Sequence, residues 1–116
     1  MKHILIKDNK ILPLNGYNAI ALFPFIFVDT NSRRWKIYRK ELINHETIHL
    51  KQQVELLFVL FYIWYVIEYI IRIFQYQSPQ KAYRNISFER EAYDNEDNLK
   101  YLESRKLFSW IKYLKK

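Results

Sequence analysis

Apolar and polar positions fall in blocks along this 116-residue chain, and the period of each block predicts an element. Residues 3–6 and 11–14 are short apolar runs split by Lys7-Asp8-Asn9-Lys10, which predicts a small β-hairpin ended by Asn15-Gly16. Ala19 to Val28 is apolar throughout and closes at Asp29-Thr30-Asn31-Ser32. Pro24, near its middle, demotes it to an edge strand or a bent segment. From about Ile37 a helical pattern runs without Gly or Pro to about Gln77, where Ser78-Pro79 ends it. A second helix begins near Tyr83, and its tail from Leu99 to Leu114 is basic and aromatic, with a break at Ser109. The expected fold is mainly α (α+β), with a long helix packed against a second, antiparallel one and a small N-terminal β part. It forms one domain over 1–116, divided into a β-rich part (1–32), the long helix (37–77) and a last helical part with its tail (83–116).

The long helix changes character halfway. Its first part is amphipathic, whereas Leu56 to Ile67 carries no charge before Glu68 interrupts. Val54 to Phe74 is about long enough to cross a bilayer, but Glu55, Glu68 and Arg72 stand inside that window and mean hydropathy over the chain is −0.31. The Tyr, Trp and Phe content suits a membrane interface. Residues 54–74 are therefore expected to meet a membrane surface or a second copy of the chain, with a true span as the third option.

Composition narrows the classes. Half the residues are hydrophobic and 18% are aromatic, ample for a core, and a single Gly argues against a turn-rich all-β protein. The absence of Cys removes thiolate ligands and disulfides, so any metal must use His and carboxylates. The net charge of +7 comes without a nucleic-acid motif, so no nucleic-acid partner is expected and an anionic membrane surface suits it better. Met1 to Asp8 is too polar for a cleavable signal peptide, which places the expected location on the cytoplasmic side, in association with a membrane.

The chemistry sits at Asn44-His45-Glu46-Thr47-Ile48-His49-Leu50, a His-Glu-x-x-His run inside the long helix. Residues four apart lie one turn above each other, so His45 and His49 can aim both imidazoles at one point. Glu46, about 100° away around the helix, can reach a water there as general base. Two neutral imidazoles beside a carboxylate suit Zn²⁺. By chance the pattern should arise in roughly half a per cent of chains with this His and Glu content, which favours a metal site over two surface histidines. A catalytic zinc needs a third ligand, for which the candidates are His3, Asp29, Glu89, Glu91, Asp94 and Glu96. Glu89 and Glu91 point about 200° apart, so only one can face the metal. If Phe88 and Ala92 are buried, that one is Glu89, and Glu91 turns towards solvent or a basic partner.

With these residues the chain resembles the gluzincin class of zinc metallopeptidases, which carry His-Glu-x-x-His on one helix and a metal-binding Glu on a following one. Glu89-Arg90-Glu91-Ala92-Tyr93 matches the class's Glu-x-Glu-Ala-Asp type motif, whose first glutamate is the ligand. The chain also looks like small uncharacterised bacterial proteins of metalloprotease or membrane type that carry the runs found here at Asn44 to Leu57 and Ala82 to Tyr93. The resemblance implies a zinc-dependent hydrolase of peptides or proteins, with His45, His49 and Glu89 on Zn²⁺ and Glu46 as catalytic base. Tyr93 stands where the class often has an Asp that braces a zinc-bound imidazole, so it can offer a hydroxyl but no charge. Tyr83, Arg84, Tyr93 and His3 are the candidates for stabilising the transition state. The alternatives are a non-catalytic zinc-stabilised scaffold or membrane-interaction protein, and an anionic-surface binder whose motif is accidental.

Overall fold

The computed structural model describes residues 3–9 and 17–115, and its class is mainly α with a small sheet. The elements in order are β1 (Ile4–Lys7), β2 (Ala19–Leu22), β3 (Phe25–Val28), α1 (Arg33–Ile37), α2 (Arg39–Glu55), α3 (Val59–Tyr76), α4 (Pro79–Arg84), α5 (Ser87–Asn95), α6 (Tyr101–Ser104) and a terminal 3-10 helix, Ser109–Tyr113.

The sheet order is β1-β3-β2, with β1 parallel and β2 antiparallel to the central β3. The apolar run from Ala19 to Val28 is thus a hairpin turning at Phe23-Pro24, a cis peptide bond, rather than one bent strand. Pro24 sits outside both strands, and its carbonyl accepts from Ile4 N of β1 at 2.8 Å. β1 pairs in parallel with β3, and the second arm of the hairpin expected between residues 3–6 and 11–14 lies outside the described residues. Ile26 and Val28 are fully buried and meet Trp35, Leu42 and Leu50 of the helices. Gln53 ties the hairpin to α2, donating to Ala21 O at 2.8 Å and accepting from Phe23 N at 2.8 Å.

The single long helix expected over 37–77 is two helices preceded by a short one. Leu57 and Phe58 have positive φ (53° and 63°), and Val59 N donates to Leu57 O at 2.7 Å, closing a three-residue turn around Phe58. Such a backbone costs about 1–3 kcal/mol at a non-glycine residue, so packing must hold it. Phe61 supplies that packing, stacking on Phe88 of α5 at 4.5 Å between ring centroids within a second core of Ile86 and Trp110. The second predicted helix is likewise divided into α4, α5 and α6. Ser78 caps α4 by accepting from Lys81 N, with Pro79 in its first turn.

Candidate metal centre

Helix α2 has no solvent face over much of its length, because the sheet covers one side and α5 the other. Every residue from Asn44 to Leu50 is buried, together with Gln52 and Gln53. Two amides set how α2 meets α5. Near one end, Asn44 Nδ2 donates to the carbonyls of Asn95, Glu96 and Asn98 (3.2, 2.9 and 3.0 Å), which lie at and beyond the C-terminus of α5. At the other, Gln52 Nε2 donates to Phe88 O at 3.1 Å. These pairings run in opposite directions along the two chains, so the helices are antiparallel, and Ala92, fully buried, lets them approach closely.

The amide clamps bring Glu89 between the two rings. Its Oε1 lies 3.1 Å from His45 Nε2 and 3.0 Å from His49 Nε2, and its Oε2 accepts from the Tyr65 hydroxyl at 2.8 Å. Each outer ring nitrogen is already engaged, His45 Nδ1 with Glu96 Oε1 at 2.8 Å and His49 Nδ1 with Gln52 Oε1 at 2.8 Å. The acceptors at Nδ1 fix the tautomer, so both Nε2 lone pairs point inwards. All three inward atoms lie within 4.8 Å of one another, and no other such group of His and carboxylate occurs among the described residues. A tetrahedral ion with bonds of about 2.0–2.1 Å spaces its ligands about 3.3 Å apart, close to the two His–Glu89 separations, so two imidazoles and a carboxylate here could hold a divalent metal ion.

Electrostatics point the same way. Burial disfavours charge on His45, yet its bonds to Glu89 and Glu96 outweigh that and push its pKa up to about 9. His49 is raised despite burial, through Glu89. Burial likewise opposes ionisation of Glu89, but His49 and His45 hold its carboxyl well below the usual range. A carboxylate between two imidazoles favours a cation at that point, a proton or a metal ion. Glu46, 6% exposed, is pushed up by burial against the pull of His45 and His49. Its Oε2 stands 4.0 Å from His45 Nε2, beside the cluster but outside the three-atom set.

Two cavities reach the cluster. One of about 570 Å³ is lined by Arg34, His45, Glu46, Tyr83, Arg84 and Tyr93 among others. The other, about 340 Å³ and more apolar, passes between β2 and α3 and touches His49, Glu89, Phe61 and Tyr65. Glu46, Tyr17 and Tyr83 border both. β2 is an edge strand, and all four of its residues line the second cavity.

Of the other third-ligand candidates, Glu96 serves as the brace on His45 and is itself held by Arg34 at 3.1 Å through both oxygens. Glu91 is fully buried and met by a basic partner, Arg105, together with Tyr101 and Gln52. Asp29 accepts from Asn31 N in a turn, Asp94 is exposed, and His3 precedes β1. The hydroxyl brace expected from Tyr93 is absent. Its ring packs edge-on against His45, 4.4 Å between centroids, while its hydroxyl meets that of Tyr83 at 3.1 Å and Arg84 lies 3.6 Å above its ring. Tyr93 is thus a wall beside the imidazole, and the charge comes from Glu96. That role was readable from spacing, since Glu96 falls seven residues after Glu89 on the same helical face. Tyr65 carried no such signal, because it reaches Glu89 only through the turn at Phe58. Comparison with family models, curated proteins and solved structures finds no match.

Proposed function

We propose that this chain is a minimal zinc-dependent hydrolase of peptide bonds, in the manner of the gluzincins its motifs resemble. The observation that carries the reading is the convergence of His45 Nε2, His49 Nε2 and Glu89 Oε1 with both Nδ1 atoms already bonded outwards. His45, His49 and Glu89 would hold the metal. A bound Zn²⁺ supplies Lewis acidity at that point and lowers the pKa of a water towards neutrality. Glu46 takes a proton from the attacking water as the C–O bond forms. It then delivers that proton to the amide nitrogen as the C–N bond breaks, leaving a carboxylate and an amine. A raised pKa suits a base that must also act as an acid. An extended peptide can add to the outer edge of β2 at Ala19, ahead of the stretch that Gln53 occupies, along the cavity beside Glu46 and His49. Tyr83 borders both cavities and has a hydroxyl to offer a developing oxyanion.

Glu46→Gln tests the assignment. The variant should keep stoichiometric zinc by elemental analysis while peptide hydrolysis falls by roughly a thousandfold or more. Loss of zinc with that change would remove Glu46 from the base role. A second reading, a zinc-stabilised scaffold, is favoured by the burial of all three ligands, at 2%, 5% and 4% exposed. It predicts no hydrolysis by the unmodified protein and a large loss of thermal stability on zinc removal.

A further inference from the structure

Along α3 the usual polarity of a surface helix is reversed. Phe61, Tyr65, Glu68 and Arg72 recur at spacings of four, three and four and face the protein, while Ile63, Ile67, Ile70 and Phe74 recur at the same spacings on the opposite side. The charged pair is satisfied inside. Glu68 accepts from Ser87 N and Oγ (2.6 Å each) and from Arg72 at 3.0 Å, and Arg72 also donates to Leu114 O at 3.0 Å. The four outward residues are 51%, 52%, 50% and 78% exposed. Leu107, Phe108 and Ile111 extend this apolar surface at 75%, 43% and 50% exposed, beside α3 through the Trp64–Trp110 contact.

We propose that this face seats the protein on an anionic lipid bilayer, with the α3 axis in the membrane plane and its isoleucine stripe in the acyl boundary. Charge selects lipid over a second copy of the chain. Exposed Lys106, Lys112 and Lys115 interleave with Leu107, Phe108 and Ile111, and Lys81 follows α3 on α4. The exposed carboxylates among the described residues (Asp8, Asp94, Asp97 and Glu103) lie outside α3, α4 and the terminal 3-10 helix. An apolar stripe with a cationic margin matches acyl chains beneath anionic headgroups, whereas a two-fold contact would set these lysines against their own copies. Although α3 is long and apolar enough to cross a membrane by length and composition, a crossing would carry its inner side, packed on Phe88 and the Glu68–Arg72 pair, into hydrocarbon. The in-plane placement leaves that side in the protein. Tyr62 and Val66 of α3 also line the cavity beside His49 and Glu89, so docking brings that mouth to the lipid surface.

Flotation of the full chain with vesicles of phosphatidylcholine and phosphatidylglycerol tests the proposal, with phosphatidylcholine alone as comparison. The unmodified chain should float with the anionic vesicles and several-fold less with the neutral ones. Ile67→Glu with Ile70→Glu places charges only at exposed positions and should cut partitioning at least about tenfold, with the thermal unfolding transition retained. Lys106→Glu with Lys112→Glu should weaken binding to the anionic vesicles alone. Failure of the unmodified chain to float, or equal flotation of the isoleucine double variant, overturns the proposal. So does a soluble oligomer that does not float and that the isoleucine variant splits into monomers, which would assign the face to a second copy.

Discussion

Glu96→Gln and Gln52→Ala each remove a brace from one imidazole, yet the structure predicts opposite consequences for the two. Glu96 sits at the edge of the site with its side chain 16% exposed, and its partners are His45 Nδ1 at 2.8 Å and Arg34 at 3.1 Å. A glutamine there can still accept from Nδ1 but loses the negative charge that makes His45 a stronger donor to metal. Zinc affinity should fall about 10- to 100-fold, or about 1.4 to 2.7 kcal/mol. Arg34 loses its anion, but at 25% exposure its side chain rehydrates, so above pH 9, where His45 is neutral, the stability of zinc-free protein should change by less than about 1 kcal/mol. Gln52 is fully buried and engages His49, the Phe88 carbonyl and Glu91 together. Alanine leaves the buried His49 Nδ1 without a partner at about 1–3 kcal/mol and opens a cavity where the amide packed, while Glu91 keeps Arg105 and Tyr101, so zinc-free Gln52→Ala should lose about 3 kcal/mol and unfold first. Competition titration against a chromophoric zinc chelator gives the affinities, and urea unfolding of chelator-treated protein gives the stabilities. Unchanged zinc affinity in Glu96→Gln would refute the bracing argument, and a stability loss in that variant as large as in Gln52→Ala would refute the assignment by burial.

Two further outcomes follow from the same geometry. In zinc-free protein His45 is raised from 6.5 to about 9, so the stability this adds is fully present below pH 6.5 and lost as pH rises through 9. Urea unfolding should show a loss on the order of 3 kcal/mol across that window, restored by zinc at the alkaline end, and a flat profile would count against a proton at the centre of the cluster. Leu57, 71% exposed with φ 53°, contributes little packing and adopts a backbone that glycine takes without penalty. Leu57→Gly should therefore stabilise the protein by about 0.5–1 kcal/mol, measured by the same assay, and destabilisation would mean that the turn needs that side chain.

Helix geometry alone made the two histidines legible. An i, i+4 pair shares a face in any α-helix, and α2 supplies that face whatever packs on it. The same periodicity separated Glu89 from Glu91, because residues two apart cannot face one point. Ser78-Pro79 marked a real boundary for a similarly local reason, the fixed φ and missing N–H of proline, whereas Pro24, read as bending a single strand, turns a hairpin. The break at Leu57-Phe58 had no such marker. Neither residue is Gly, Pro or Asn, and the strained turn persists because Phe61 stacks on Phe88, 27 residues further along the chain. Tyr65 reaches Glu89 only as a consequence of that turn. The parallel pairing of β1 with β3 and the rotation of α3 about its own axis are also non-local. Sequence placed Glu68 and Arg72 within an apolar run, but only packing could turn the charges inward and the isoleucines out. A helix's rotation is set by the partners it meets, and those partners lie far along the chain.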